Sequence, residues 1–436
     1  MSPAAGVRAV PGKARAGRIL LAALLAVLPC LLFLNKAFHI DDPLFIWTAR
    51  HILEHPLDFY GFDVNWYGRT QPMHEVTQNP PLVSYYLAII LRLAGPAEWA
   101  LHLAMLFPAA LAGAGAYHLA ARFCARPLLA ALLTVASPAF VVSGTTLMCD
   151  MAMLAFWLWA ASLWLAGLET RSWNCVVMAA LLAGFGVLSK YFGASLIPLL
   201  AVYTLCQGRA HWRYLIALAL PICMLVLYET ATAHLYGRGH FLDAVWYVSE
   251  IEQEYGRDYL AKILVGLIFL GGCLTFPFLV LLTGLPRPAA ASPGKVVADS
   301  TGAATPAAAG LPGYHYLGRG PYLAFALGVV AVLLMGIRTG GTGLPEAVGL
   351  DTFGKLAQGC LWTAAGLAAL ALAAGDFFRG NWRESVFLGL WLGGVLVFVC
   401  FLNHYINVRV LLPAVVPVAI LAARRLDGPR GRAPVP

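Results

Sequence analysis

The sequence predicts an all-α polytopic membrane protein, and three observations carry that prediction. Of its 436 residues 60% are hydrophobic and only 11% are charged, well outside the balance of a soluble globular chain. Apolar runs of roughly 17 to 25 residues, enough for a helix to cross about 30 Å of hydrocarbon, recur along the whole length. Lysine and arginine cluster in alternate connections between those runs, as they do when short basic loops stay on the cytoplasmic side.

About twelve spans are expected, at 18–38, 99–120, 127–144, 150–168, 173–190, 191–207, 213–234, 262–284, 321–338, 356–375, 385–402 and 409–424. The first has the basic front and apolar core of a signal peptide, but no small-x-small cleavage site follows, so it is read as a retained helix. Between the fifth and sixth spans "LSKYFG" leaves only a tight hairpin at Lys190. Residues 285–313 are rich in Pro, Gly, Ala and Ser and have little to bury, which predicts a flexible linker. The organisation read from this is an N-terminal transmembrane module, 1–284, a linker, 285–318, C-terminal helices, 319–426, and a tail, 427–436.

With both termini cytoplasmic, the inner pieces hold 18 of the 29 Lys and Arg residues, and the outer pieces about 16 of the 21 acids. The basic total therefore reports topology and contact with the inner leaflet, and gives no support to nucleic-acid binding. Nine cysteines are scattered through apolar segments without a C-x-x-C pair, so they read as small hydrophobes.

The outer loop over 39–98 is the richest in chemistry. Asp41 and Asp42 precede Pro43 at the start of a mostly apolar helix ending near Pro56, and "PPLVSYYLAIILRLAG" predicts a second helix from Pro80 to Gly95. Both are too short to span comfortably and suit the membrane interface.

Helix capping is the plain explanation of one acid at such a start. Two adjacent acids repel each other, an arrangement tolerable where a cation, a metal or a proton-transfer task compensates. Asp150 opens the fourth span in "SGTTLMCDMAMLAFW"; capping competes with a functional reading there too. Lys190 and Arg409 are cations at outer helix ends, where snorkelling to headgroups is the default. Arg409 comes with His404 and Tyr405 in a cluster suited to a phosphate. About eight of the eleven histidines lie on or near the outer side, yet no pair has a diagnostic metal-ligand spacing. Acids and cations thus converge on one face of a bundle with nearly charge-free interior spans, which fits a reaction at the outer leaflet on a phosphate-bearing lipid.

Five segments, in order, resemble a known family. "DDPLFIWTARHIL", "QNPPLVSYYLAIILRLAG", "MCDMAMLAFWLWAASLW", "GVLSKYFGASLIPLL" and "VRVLLPAVVPVAIL" are similar to motifs of the GT-C glycosyltransferases that use polyprenyl-phosphate sugars, the group of the protein O-mannosyltransferases and the lipid A aminoarabinose transferase. The resemblance implies a GT-C-type bundle with interfacial helices in the first outer loop. It implies Asp41 as catalytic acid, Asp42 as its partner and Asp150 as a second acid of the cavity, with Arg50, Lys190 and Arg409 assisting the lipid phosphate. Relatives with Glu-Lys before the paired prolines use that Glu to hold a metal; Gln78 and Asn79 stand here, with His74 and Glu75 nearby, so a divalent metal is an open expectation. His74, Glu75, His240 and His404 are the possible accessory residues. Val410 replaces the usual aromatic after the arginine.

The chemistry implied is one in-line, inverting displacement: a carboxylate takes the acceptor's proton while cations stabilise the departing phosphate. The partners are a polyprenyl-phosphate sugar donor, membrane lipids and an acceptor that is protein, lipid or glycan. A composition rich in Ala, Gly, Leu and Arg suggests a high-GC bacterium, hence an undecaprenyl donor, the inner membrane and a periplasmic active site. A flippase for lipid-linked intermediates is the alternative; it would need ionisable groups lining a mid-membrane cavity. An inactive relative acting as a scaffold is the third reading.

Overall fold

The computed structural model describes residues 12–255, 259–275, 348–378, 381–403 and 405–427, with two short paired strands at 287–288 and 314–315. The predicted span 321–338, most of the linker, His404 and the tail from 428 lie outside the described residues.

The chain is the predicted helical bundle. In order come α1 (Gly12–Leu31), α2 (Asp42–Glu54), a hairpin of β1 (Asp63–Asn65) and β2 (Thr70–Pro72), α3 (Met73–Val76), α4 (Leu82–Ala94), α5 (Glu98–Phe123), α6 (Pro127–Val135) and α7 (Pro138–Gly144). There follow α8 (Asp150–Thr170), α9 (Trp173–Ser189), α10 (Leu196–Cys206), α11 (Ala219–Tyr236), α12 (His240–Tyr255), α13 (Tyr259–Cys273), α14 (Val348–Phe377), α15 (Trp382–Val397) and α16 (Leu412–Asp427).

Among the described residues six helical stretches are long and apolar enough to cross a membrane, or seven if the bent pair α6–α7 is one span. Within the described residues some of the expected spans take another form, for reasons that differ by element. The apolar helices over 173–189 and 191–206 fall short of about 20 residues, the length that a perpendicular crossing needs, and residues 276–284 of the span expected at 262–284 lie outside the described residues. The predicted span 127–144 is bent by 62°. The break is at Pro138, which has no N–H for α6, while the Ser137 side chain accepts from Phe140 N–H and starts α7 afresh. The first span ends at Leu31, short of residue 38.

Every residue of the last helix, α16, from Leu412 to Ala423 is buried, so the span expected at 409–424 is a central post of the bundle, wrapped by its neighbours. Around it stand α5, α6, α7, α8, α13, α14 and α15, and the apolar core they share with α9 and α10 buries Trp164, Trp391, Phe140 and Phe387 fully.

A second core belongs to the outer loop. Phe45, Ile46, Ala49 and Ile52 of α2 lie against Val83, Leu87, Ala88 and Leu91 of α4, and Met105 and Leu147 extend this core toward the bundle. The two helices match the predicted short pair.

Polar contacts divide the bundle into two ends. At one, Arg15 meets His118 at 3.1 Å, Arg126 meets Asp427 at 3.7 Å, and buried Arg424 pairs with Asp376 at 3.3 Å and Glu384 at 3.1 Å. At the other lie Lys36, Asp41, Asp42, Asp150, Lys190 and Arg409. These groups fall as the charge pattern along the chain predicts: residues expected on one side meet one another.

Candidate active site

Four charged side chains from four separate stretches gather at that second end. Pro43 sits in the first turn of α2, as predicted, but neither acid before it caps the helix: Asp41 makes no side-chain capping bond. Its carboxylate, one-third exposed, lies 3.5 Å from Arg409 Nη2, across 368 residues of sequence. Arg409 is held just before α16 because Asn407 Oδ1 accepts from the backbone N–H groups of Arg409 and Val410, both at 3.1 Å.

Asp150 occupies the first turn of α8 and is 1% exposed. Its Oδ1 accepts from Lys190 Nζ at 2.5 Å. Lys190 is placed by the predicted hairpin between α9 and α10, where Gly193 N–H donates to Lys190 O at 2.8 Å. The hairpin is tight enough that a Cβ on Gly193 would stand 2.5 Å from the Gly186 carbonyl, so only glycine permits it. Arg409 acts electrostatically on Lys190, which joins the two ion pairs into one cluster. Two valences within it have no hydrogen-bond partner among the described residues although both are buried: Arg409 Nη1 and Asp150 Oδ2.

Asp42 sits differently from Asp41. It is fully buried, with Oδ2 accepting from His39 N–H at 2.7 Å and Oδ1 from Leu147 N–H at 2.9 Å. Burial raises its pKa above the usual carboxylate value despite those two bonds. Both oxygens are thereby committed to backbone, tying the start of α2 to the strap before α8. Lys36 Nζ reinforces the tie by donating to Thr145 O at 2.8 Å.

The other predicted residues lie apart from this cluster. Arg50 is exposed on α2. Glu75 pairs with Arg238 at 3.2 Å, and Arg238 with Asp243 at 3.2 Å. His74 and His240 belong to an aromatic stack: their rings lie 5.0 and 5.1 Å from that of Tyr236, at 17° and 16°, and His240 also stacks on Tyr60 at 5.6 Å. Burial lowers the pKa of both imidazoles, His240 to about 4, so each is neutral near pH 7. Tyr60 and Tyr236 carry no motif and are invisible to pattern reading; only the crowding of tyrosines near 60 and 236 hints at them. His39 also went unremarked: its Nδ1 accepts from Asp41 N–H at 3.3 Å and lies 3.9 Å from the Asp41 carboxylate.

The described residues do not fit a divalent metal. Among the described residues no group of three or more His, Cys, Asp or Glu could hold one. Gln78, at the position where relatives carry an acid, uses its amide to donate to Asp243 at 3.3 Å. Positive charge beside Asp41 comes instead from Arg409.

A one-third-exposed carboxylate beside a fixed guanidinium can accept a proton from an incoming hydroxyl. The buried Arg409 Nη1 lacks an acceptor, a lack that an anionic oxygen reaching it would fill.

Residues 78–236 match the family model described as dolichyl-phosphate-mannose-protein mannosyltransferase. That segment, just over a third of the chain, contains Asp150 and Lys190, and over it the resemblance read from the motifs is borne out. Among curated proteins none matches in sequence. The fold is similar to the Archaeoglobus fulgidus oligosaccharyltransferase, crystallised with zinc and sulfate, at 15% identity and a TM-score of 0.48, covering 93% of this chain and 48% of that one. It is also similar to ArnT from Cupriavidus metallidurans, solved in the apo state and bound to undecaprenyl phosphate, at 15% identity and a TM-score of 0.42 in each case. Those comparisons cover 95% of this chain and 77% and 78% of ArnT. The chain thus spans about half the length of the oligosaccharyltransferase. Over residues 78–236 the motifs and the family model point to the same family.

Proposed function

We propose that the Asp41–Arg409 and Asp150–Lys190 cluster is the reaction centre of a multi-pass membrane glycosyltransferase that moves a sugar from a polyprenyl phosphate to an acceptor hydroxyl at the outer, periplasmic face. One observation carries the reading: a partly exposed carboxylate and a guanidinium with a buried, unpartnered Nη1 are brought together from opposite ends of the chain, beside a second ion pair whose acid is buried.

In this reading Asp41 is the base. The acceptor oxygen attacks the anomeric carbon, its proton passes to an Asp41 oxygen, and the bond from that carbon to the phosphate oxygen breaks. Attack and departure on opposite faces invert the centre. The phosphate leaves with added negative charge, which Arg409 Nη1 is placed to receive and the Lys190 ammonium to stabilise at longer range. Asp150 keeps Lys190 charged and fixed, and Asp42 acts through the backbone it anchors. Arg50, exposed on α2, is assigned to lipid headgroups near the donor. Undecaprenyl phosphate is the donor carrier that this reading favours, and the basic end of the bundle then faces the cytoplasm with both termini.

The test is transfer of radiolabelled sugar from undecaprenyl-phosphate donors by the purified chain in nanodiscs. Product with the wild type and none with Asp41→Asn of equal thermal stability supports the reading. An active Asp41→Asn variant overturns the role of Asp41.

A further inference from the structure

Between the chain that follows α2 and the end of α11 lies a cleft of about 370 Å³, lined by Asp58, Phe62, Asp63, Pro72, His74 and Tyr236 among others. It lies away from Asp41. Phe62 packs on His51, in the last turn of α2, with ring centroids 4.7 Å apart, whereas Asp41 precedes the first turn of that helix. At 1.5 Å per residue, the helix puts the two roughly 15 Å apart.

The walls are built from two kinds of surface. One is flat and uncharged: the ring of Tyr236 with that of His74 stacked on it, and the ring of Phe62. The other is a pair of carboxylates. Asp58 is held in place, because Tyr236 Oη donates to its Oδ1 at 3.0 Å and its other oxygen lies against the backbone at Gly61, where a Cβ would stand 1.9 Å away. Asp63 projects from the exposed side of β1. Burial keeps His74 neutral, so the lining has acceptors in excess and no cation of its own.

We propose that this cleft binds a sugar ring of an extended carbohydrate acceptor, remote from the ring that receives the transferred sugar. A pyranose offers an apolar C–H face to an aromatic wall and hydroxyl donors to carboxylates, which matches both surfaces. A bare ammonium group would satisfy the acids and leave the rings uncovered. The distance from Asp41 exceeds what a single ring can bridge, so the ligand is an oligosaccharide and not a free monosaccharide. The inference rests on the glycosyltransferase reading for the word acceptor, but the binding itself does not.

The experiment is saturation-transfer NMR of the full chain in nanodiscs, without donor, against a panel of neutral and acidic pyranose tetrasaccharides and against tetralysine. At least one tetrasaccharide is expected to receive saturation. Asp63→Asn, at an exposed position, and Tyr236→Phe, which keeps the ring and removes the hydroxyl that fixes Asp58, are each expected to weaken it by about tenfold. Asp41→Asn is expected to bind as the wild type does. No binding by any tetrasaccharide, preference for tetralysine, or binding indifferent to both cleft variants would overturn the proposal. If the tetrasaccharide binds and no transfer is found with any donor, the cleft stands and the enzymatic reading falls.

Discussion

Lys190 Nζ and Asp150 Oδ1 meet at 2.5 Å, with the carboxylate 1% exposed and its other oxygen without a hydrogen-bond partner among the described residues. A buried acid in that state depends on its one cation. Removing the cation alone, as in Lys190→Met, leaves the charge uncompensated and is expected to cost about 3 to 5 kcal/mol. The double variant Lys190→Met/Asp150→Leu should recover most of that loss without recovering transfer. Thermal unfolding in nanodiscs measures the first statement, and the activity assay the second.

Asp41 and Asp42 are adjacent in sequence and opposite in use. Asp42→Ala removes the acceptor for a buried backbone N–H at Leu147 and a part-buried one at His39, and should destabilise the protein by about 2 to 4 kcal/mol. Loss of activity in that variant should follow loss of fold. Asp41→Asn should leave the melting temperature within about 2 °C of wild type, since a one-third-exposed side chain paired at 3.5 Å contributes little.

Arg409→Lys separates charge from geometry. A lysine keeps the positive charge and loses the forked donor that reaches Asp41 with one nitrogen and holds a second, unpartnered one beside it. Transfer is expected to fall by about ten- to a hundredfold in kcat with a smaller change in KM for the donor, and Arg409→Met should fall further.

Acid should loosen the aromatic stack before it unfolds the bundle. His240 is buried, and its folded pKa lies near 4 against an ordinary 6.5, so its neutral form is the one the fold favours. For a lowered pKa the stabilisation is complete above the unfolded value and is lost as pH falls through the folded one. Stability should therefore decline between about pH 6.5 and pH 4, by about 2 to 3 kcal/mol from this residue, with His74 adding in the same direction. Hydrogen exchange over residues 56–76 and 232–245 measures it. His240→Phe, which keeps a stacked ring, should flatten the profile.

The pattern along the chain made some relationships legible and hid others. Charge asymmetry and span counting put Asp41, Asp150, Lys190 and Arg409 at one end, because sidedness is a one-dimensional property. The hairpin at Lys190 was readable from "LSKYFG", since glycine is the residue that such a close approach demands. What Asp42 does was hidden, because its partner Leu147 is 105 residues away and offers a backbone N–H that every residue but proline has. Length and hydropathy marked 409–424 as a span, yet they do not tell that other helices, and not lipid, surround it. Arg424 looked like one more cytoplasmic loop charge; its pairing with Asp376 and Glu384 depends on how α14, α15 and α16 pack. The stack of Tyr60, His74, Tyr236 and His240 joins residues 176 apart with no motif between them.

The most direct measurement is sugar transfer from an undecaprenyl-phosphate donor by Asp41→Asn, prepared in nanodiscs beside the wild type and matched to it in melting temperature. Proton removal by the Asp41 carboxylate predicts a loss of at least about a thousandfold in kcat with donor affinity retained. Transfer at the wild-type rate would contradict it and leave the cluster a structural feature of the helix ends.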